Sequence, residues 1–129
     1  MKIMRNQMAN LAMAVGAVML ASAETAAADQ AFRLAVGQEA FVALTENPST
    51  GYRWAIDEKA SSNLSILQIN DRGFSQDGGG KRLVGAPGIH RWSIQASKSG
   101  HASVTFAYRR SWEAASIRTH RVAVEVSAR

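Results

Sequence analysis

Residues 40–57 read AFVALTENPSTGYRWAID and predict two strands joined by a stiff loop. Apolar side chains recur at every second position on both sides of residues 47–51, which is the period of a half-buried strand. Pro48 fixes its own φ at about −65°, and Gly51 permits a positive φ. The loop is therefore shaped before it meets any partner, although local chemistry alone also fits an ordinary hairpin turn.

The same alternation extends over the chain from residue 31 onward. It predicts strands over 31–36, 39–45, 52–56, 64–69, 91–96, 102–108 and 120–126. The period slips within 64–69, where we expect a bulge or a sheet edge, and the glycine-rich residues 73–88 predict a long surface loop. No segment predicts a helix, so the fold expected is all-β, an immunoglobulin-like antiparallel β-sandwich of about seven strands.

Aromatic residues on the apolar faces of these strands predict the core. Four of them fall at inward positions: Trp54, Trp92, Phe106 and Tyr108. Trp112 instead falls in a loop with charged neighbours, where a large ring is either a lid on the sandwich or a contact surface.

The first residues have the form of a secretory signal peptide. Lys2 and Arg5 precede an apolar segment, residues 11–21, that is shorter than the roughly 20 residues needed to span a membrane. We expect a signal peptide over 1–23, cleaved after Ala23 or Ala28, and one domain over 31–127. The protein is then exported, periplasmic or secreted, without membrane insertion. Because the chain has no cysteine, its fold must depend on apolar burial.

Composition and spacing argue against several functions. The net charge of +5 includes Lys2 and Arg5, and no basic stripe with interleaved aromatics suggests nucleic-acid binding. The histidines, His90, His101 and His120, share no metal-ligand spacing. The sequence contains no Gly-x-Ser-x-Gly motif and no locally paired carboxylates. We therefore expect neither an enzyme nor a cofactor, although a carboxylate pair assembled in space stays open.

Three loop motifs resemble those of the chagasin-type inhibitors of papain-like cysteine peptidases. Residues 47–51, followed by Tyr52 and Trp54, are similar to the family's Asn-Pro-Thr-Thr-Gly and Tyr-x-Trp, with Ser49 in place of the first threonine. Residues 85–88 align with the family's Gly-x-Gly-Gly-like element, and residues 110–112 with its Arg-Pro-Trp. Pro87 replaces a glycine, which removes a backbone N–H donor and fixes φ in the second loop. Ser111 replaces a proline, which predicts a less stiff third loop. The resemblance extends from about residue 36 to residue 126.

The resemblance implies a reversible, non-covalent inhibitor whose three loops enter the active-site cleft of a papain-like cysteine peptidase. The first loop would cover the catalytic cysteine, the second would run along one side, and the third would contact the primed side. The residues implied in peptidase binding are Asn47, Pro48, Ser49, Thr50, Gly51, Gly85, Ala86, Pro87, Gly88, Arg110, Ser111 and Trp112. We expect a monomer.

The alternative is a non-inhibitory immunoglobulin-like binding module of the cell envelope. Loop position separates the two readings, because an inhibitor needs its three loops at one end of the sandwich. From the order of the loops and the strand count between them, we expect loops 46–51, 83–89 and 109–116 to converge.

Overall fold

Seven strands form two packed sheets in the computed structural model, which describes residues 27–76 and 84–128. The strands are β1 (Gln30–Ala35), β2 (Glu39–Glu46), β3 (Tyr52–Ile56), β4 (Leu67–Ser75), β5 (Gly88–Ala96), β6 (Gly100–Arg110) and β7 (Arg118–Ser127). Short 3-10 turns occupy Pro48–Thr50 and Leu64–Ile66. Residues 1–23, for which a signal peptide is predicted, lie outside the described part of the chain.

The strand order is β1-β7-β6-β3 in one sheet and β2-β5-β4 in the other, which confirms the predicted β-sandwich. All pairings are antiparallel except that of β1 with β7. β2 and β6 both end at the same end of the sandwich. β1, which precedes β2, and β7, which follows β6, therefore both run in the opposite direction, and as neighbours they pair in parallel.

The strand predicted over 64–69 is wrong in its first half. Residues Leu64–Ile66 form a 3-10 turn after Asn63, whose φ of 58° is left-handed, and β4 begins at Leu67. The apparent slip in period arises because Ile66, the last residue of this turn, and Leu67, the first residue of β4, are both buried. β4 is an edge strand as expected, but its register shift lies further along, between Asp71 and Gly73.

The long loop predicted over 73–88 is shorter than expected at its start, because β4 continues to Ser75. Residues 77–83 of that prediction lie outside the described residues. Residues 84–87 lead into β5, whose first residue, Gly88, pairs with Glu46.

The core between the sheets is aromatic at its centre, as predicted. Trp54, Trp92, Phe106 and Tyr108 are all buried. The Trp92 ring lies 4.7 Å from the Phe106 ring, and the cross-strand pair Trp54 and Tyr108 stacks at the same distance. Such pairs stabilise sheets beyond the area they bury. Within residues 27–76 and 84–128, no helix has the length and apolar character needed to cross a membrane.

Candidate functional site

Three loops meet at one end of the sandwich, as the strand count predicts. Asn47 Nδ2 in the first loop donates a hydrogen bond to the Gly85 carbonyl of the second loop at 3.1 Å. Arg110, at the start of the third loop, donates from Nε to the Thr50 carbonyl at 3.1 Å. The first loop therefore contacts both of the others directly.

The first loop is held by hydrogen bonds among its own residues. Asn47 Oδ1 accepts from the Ser49 backbone N–H at 3.2 Å and from Ser49 Oγ at 2.6 Å. The Thr50 hydroxyl donates to the Asn47 carbonyl at 2.7 Å, and Pro48 begins the 3-10 turn that Gly51 ends at a φ of 85°. Each residue type is thus required by the turn, and at position 49 the hydroxyl is the bonded group, which serine and threonine share.

The second loop tolerates Pro87 because this residue lies just outside the strand ladder. Gly88 is the first residue of β5, so no ladder hydrogen bond depends on an N–H at position 87. The preceding residue, Ala86, accepts a hydrogen bond from Gln76 Nε2 at 3.0 Å. Gly88 itself is buried, and a Cβ there would lie 2.6 Å from the Phe74 ring, which excludes a larger residue.

The third loop is supported by two arginines. Arg109 Nη1 donates to the carbonyls of Glu113 at 2.8 Å and Arg110 at 3.3 Å. The Arg110 guanidinium carbon lies 4.4 Å above the Tyr52 ring and 5.7 Å from the Trp112 ring. These contacts support the turn that, by the family resemblance, a proline would stiffen at position 111.

The Trp112 ring is largely exposed but contacts the first loop. It keeps 70% of its surface accessible, while an added Cβ on Gly51 would lie 2.7 Å from Trp112 Cη2. The tip of the ring therefore rests on the first loop, and its remaining surface is free to contact a partner. Ser111 beside it is also exposed.

The comparison with known proteins identifies the family. Residues 33–126 match the profile described as Chagasin family peptidase inhibitor I42. The chain belongs to the chagasin family of peptidase inhibitors. It is 29% identical to chagasin of Trypanosoma cruzi over 97 residues, which are 74% of this chain and 86% of that protein. The family consists of inhibitors, so the prediction that this chain is not an enzyme is confirmed.

Solved structures share the chagasin-family fold. The crystal structure of EhICP2, a cysteine protease inhibitor from Entamoeba histolytica, superimposes with a TM-score of 0.60 at 24% identity, covering 77% of this chain and 88% of that one. PbICP-C, solved in complex with falcipain-2, gives a TM-score of 0.56 at 20% identity, with coverage of 78% and 91%.

This chagasin-family site contains a polar cluster that sequence reasoning missed. His90 lies within hydrogen-bond distance of two carboxylates: its Nδ1 is 3.0 Å from Glu46 Oε1, and its Nε2 is 2.6 Å from Asp71 Oδ1. The two carboxylates lie 44 and 19 positions before His90 in the sequence, which hides the contact. One signal was available: the alternation that turns residues 40, 42 and 44 inward also turns Glu46 inward, and that of β5 does the same for His90.

Proposed function

We propose that this protein inhibits papain-like cysteine peptidases reversibly, by placing the loops at 47–51, 85–88 and 110–112 in the active-site cleft. The observation that carries the proposal is the convergence of the three loops, joined by the bonds from Asn47 to Gly85 and from Arg110 to Thr50. Family membership supports it, as does the relative PbICP-C, which was solved bound to falcipain-2.

The first loop would occupy the centre of the cleft without being cleaved. Residues Pro48–Thr50 form a 3-10 turn in which the Gly51 N–H donates to the Pro48 carbonyl at 3.0 Å. A peptide bond folded into such a turn is not aligned for attack by a nucleophile, because reaction needs a near-attack geometry. The loop would therefore block the catalytic cysteine by occupancy.

The other two loops would widen the contact on either side. Residues 85–88 would lie along one wall, and Arg110, Ser111 and Trp112 would contact the primed side. Exposed aromatic residues are frequent anchors of protein interfaces. Since the loops already hold one another, little conformational entropy would be lost on docking, which favours tight binding.

The protein would act as an exported monomer without a cofactor, periplasmic or secreted. The leader-like form of residues 1–23 supports export.

Titration against papain and a cathepsin L-like enzyme tests the proposal. We expect stoichiometric, reversible loss of peptidase activity, recovery on dilution, and an inhibitor that stays uncleaved by mass spectrometry. A folded protein that leaves both enzymes fully active would contradict the proposal and favour the envelope-binding alternative.

A further inference from the structure

Two tyrosines lie at the end of the aromatic core that faces the loops, and neither is among the residues assigned to peptidase binding. Tyr52 begins β3 directly after the first loop, and Tyr108 lies two residues before Arg110, at which the third loop begins. The register of β3 with β6 places Tyr52 opposite Arg110 and Trp54 opposite Tyr108. Since alternate residues of a strand share a face, these four side chains lie on the same face of the sheet.

The Tyr108 side chain connects the core to the first loop. It is buried, and its ring stacks on the Trp54 ring with the two centroids 4.7 Å apart. Its hydroxyl oxygen accepts a hydrogen bond from the Asn47 backbone N–H at 3.2 Å. A half-buried N–H that loses its acceptor costs free energy. The hydroxyl therefore fixes the residue at which the first loop begins.

The Tyr52 side chain connects the same stack to the third loop. Its ring centroid lies 5.5 Å from that of Tyr108, and the Arg110 guanidinium carbon lies 4.4 Å from it. A guanidinium above an aromatic face is attracted by the quadrupole of the ring. This contact with Arg110 uses the face of the Tyr52 ring and not its hydroxyl.

Arg110 contacts both the first and the third loop from its position over Tyr52. Its Nε donates to the Thr50 carbonyl at 3.1 Å, its guanidinium carbon lies 5.7 Å from the Trp112 ring, and its Nη1 lies 3.8 Å from Glu113 Oε2. A free arginine side chain populates many rotamers, and ordering it costs entropy. The ring of Tyr52 favours the Arg110 rotamer that makes these contacts, and so favours the observed position of Trp112.

We propose that Tyr52 and Tyr108 are positioning residues for inhibition: the Tyr108 hydroxyl holds the start of the first loop, and the Tyr52 ring holds Arg110 and, through it, the third loop. This inference rests on the proposed inhibition of papain-like peptidases. When a loop samples other arrangements, only the fraction of molecules in the docking arrangement binds, and the inhibition constant rises by the inverse of that fraction. Loss of either contact should therefore weaken inhibition while the domain stays folded.

Substitution by phenylalanine makes the same chemical change at both stacked rings, with different expected results. Tyr108→Phe keeps the ring but removes the acceptor of the Asn47 N–H, so it should raise the inhibition constant for papain about tenfold. Tyr52→Phe keeps the ring face under Arg110 and should inhibit as wild type does. Thermal melting establishes that both variants are folded. A Tyr108→Phe protein that inhibits as wild type does would overturn the role of the hydroxyl.

Tyr52→Leu tests the ring face, because leucine is apolar but has no π system. It should raise the inhibition constant about tenfold, and Tyr52→Phe is its matched control. A loss of inhibition by Tyr52→Phe as large as that by Tyr52→Leu would overturn the role of the ring face.

A double-mutant cycle with Arg110→Ala distinguishes positioning from a general loss of stability. Because Tyr52 acts through Arg110, Tyr52→Leu should have little further effect on inhibition in the Arg110→Ala protein. Tyr108→Phe acts on the first loop through its own hydrogen bond, and should have the same effect in both backgrounds. Equal effects of Tyr52→Leu in the presence and absence of the arginine would overturn the proposal.

Proton NMR of the free protein tests the two contacts without a peptidase. The Tyr52 ring should shift the side-chain resonances of Arg110 upfield, and the shift should persist in Tyr52→Phe and vanish in Tyr52→Leu. The Asn47 amide resonance should move most in Tyr108→Phe. Unshifted Arg110 resonances in wild type would overturn the proposal. If the spectra are as expected but wild type does not inhibit papain, the proposed function fails, and with it the inhibitory role of the tyrosines, while their support of the loops stands.

Discussion

At the scale of single residues, Trp112 and Gly51 form the contact on which the third loop depends. The tryptophan ring rests against a position without a side chain and remains 70% exposed. Two features require glycine at position 51: its φ of 85° is left-handed, and an added Cβ would collide with the Trp112 ring. Both demands come from the same turn.

Trp112→Ala should weaken inhibition of papain about thirtyfold, or by about 2 kcal/mol, as expected for the loss of an aromatic anchor. The melting temperature should stay near that of wild type, since the ring is outside the core. Inhibition constant and thermal melt are the two measurements. Phe41→Ala is the matched control, because Phe41 is 56% exposed on β2, away from the loops. A collapsed melting temperature for Trp112→Ala would show that the ring is a structural lid.

Gly51→Ala should lower both stability and inhibition. Forcing alanine into the left-handed region costs about 1–2 kcal/mol, and the added methyl must displace Trp112. Gly37→Ala is the control, because Gly37 has a similar φ of 94° but nothing within 4 Å of an added Cβ. We expect similar losses in denaturant unfolding for the two variants, and weaker inhibition for Gly51→Ala alone. Equal inhibition by both would mean that the position of Trp112 does not matter.

At the scale of elements, the first loop is both a capped turn and a link to its neighbour. The two ends of the Asn47 amide have separate tasks: Oδ1 accepts from Ser49, and Nδ2 donates to the Gly85 carbonyl. The first task is local and was predictable from the sequence. The second depends on the position of another loop.

Substitution of Asn47 separates these two tasks. Asn47→Ala removes the cap and the link, and should cost about 1 kcal/mol of stability with a clear loss of inhibition. Asn47→Asp keeps an acceptor for Ser49 but loses the donor to Gly85, so it should keep most of the stability and still inhibit less well. Urea unfolding and papain titration of both variants measure this. If Asn47→Asp inhibits as wild type does, the link between the loops is not needed.

At the scale of the whole molecule, the sandwich holds its loops without any disulfide. The two sheets are joined by the aromatic core, in which Trp92 lies 4.0 Å from the His90 ring and 4.7 Å from the Phe106 ring. The core and the cluster under the loops thus share a contact, and damage to one should reach the other.

Trp92→Ala should destabilise the domain by about 3–5 kcal/mol, the usual result of deleting a large buried aromatic. In a domain whose total stability is about 5–15 kcal/mol, such a loss approaches unfolding at physiological temperature. Denaturant unfolding followed by circular dichroism measures it, with the exposed Trp112→Ala as the control. A variant that unfolds at the wild-type midpoint would show that Trp92 contributes little to the core.

The sequence by itself determined the strands other than β4, the aromatic core, the turn at Asn47–Gly51 and the end at which the loops meet. Alternation and capping act over a few residues, so they can be read from neighbours in the chain. Strand count decides at which end of the sandwich each loop lies. Two strands separate each loop from the next, so the chain returns to the same end each time.

Only the tertiary structure decided the contacts between distant segments. The parallel pairing of β1 with β7, the arginine supports of the third loop and the pairing of Glu46 with His90 depend on how the strands are arranged in the two sheets. Glu46 lies one residue beyond the strand predicted over 39–45, so neither its burial nor its partner was predicted. A period of two gives the face on which a side chain lies, whereas the neighbour across that face depends on strand order and register.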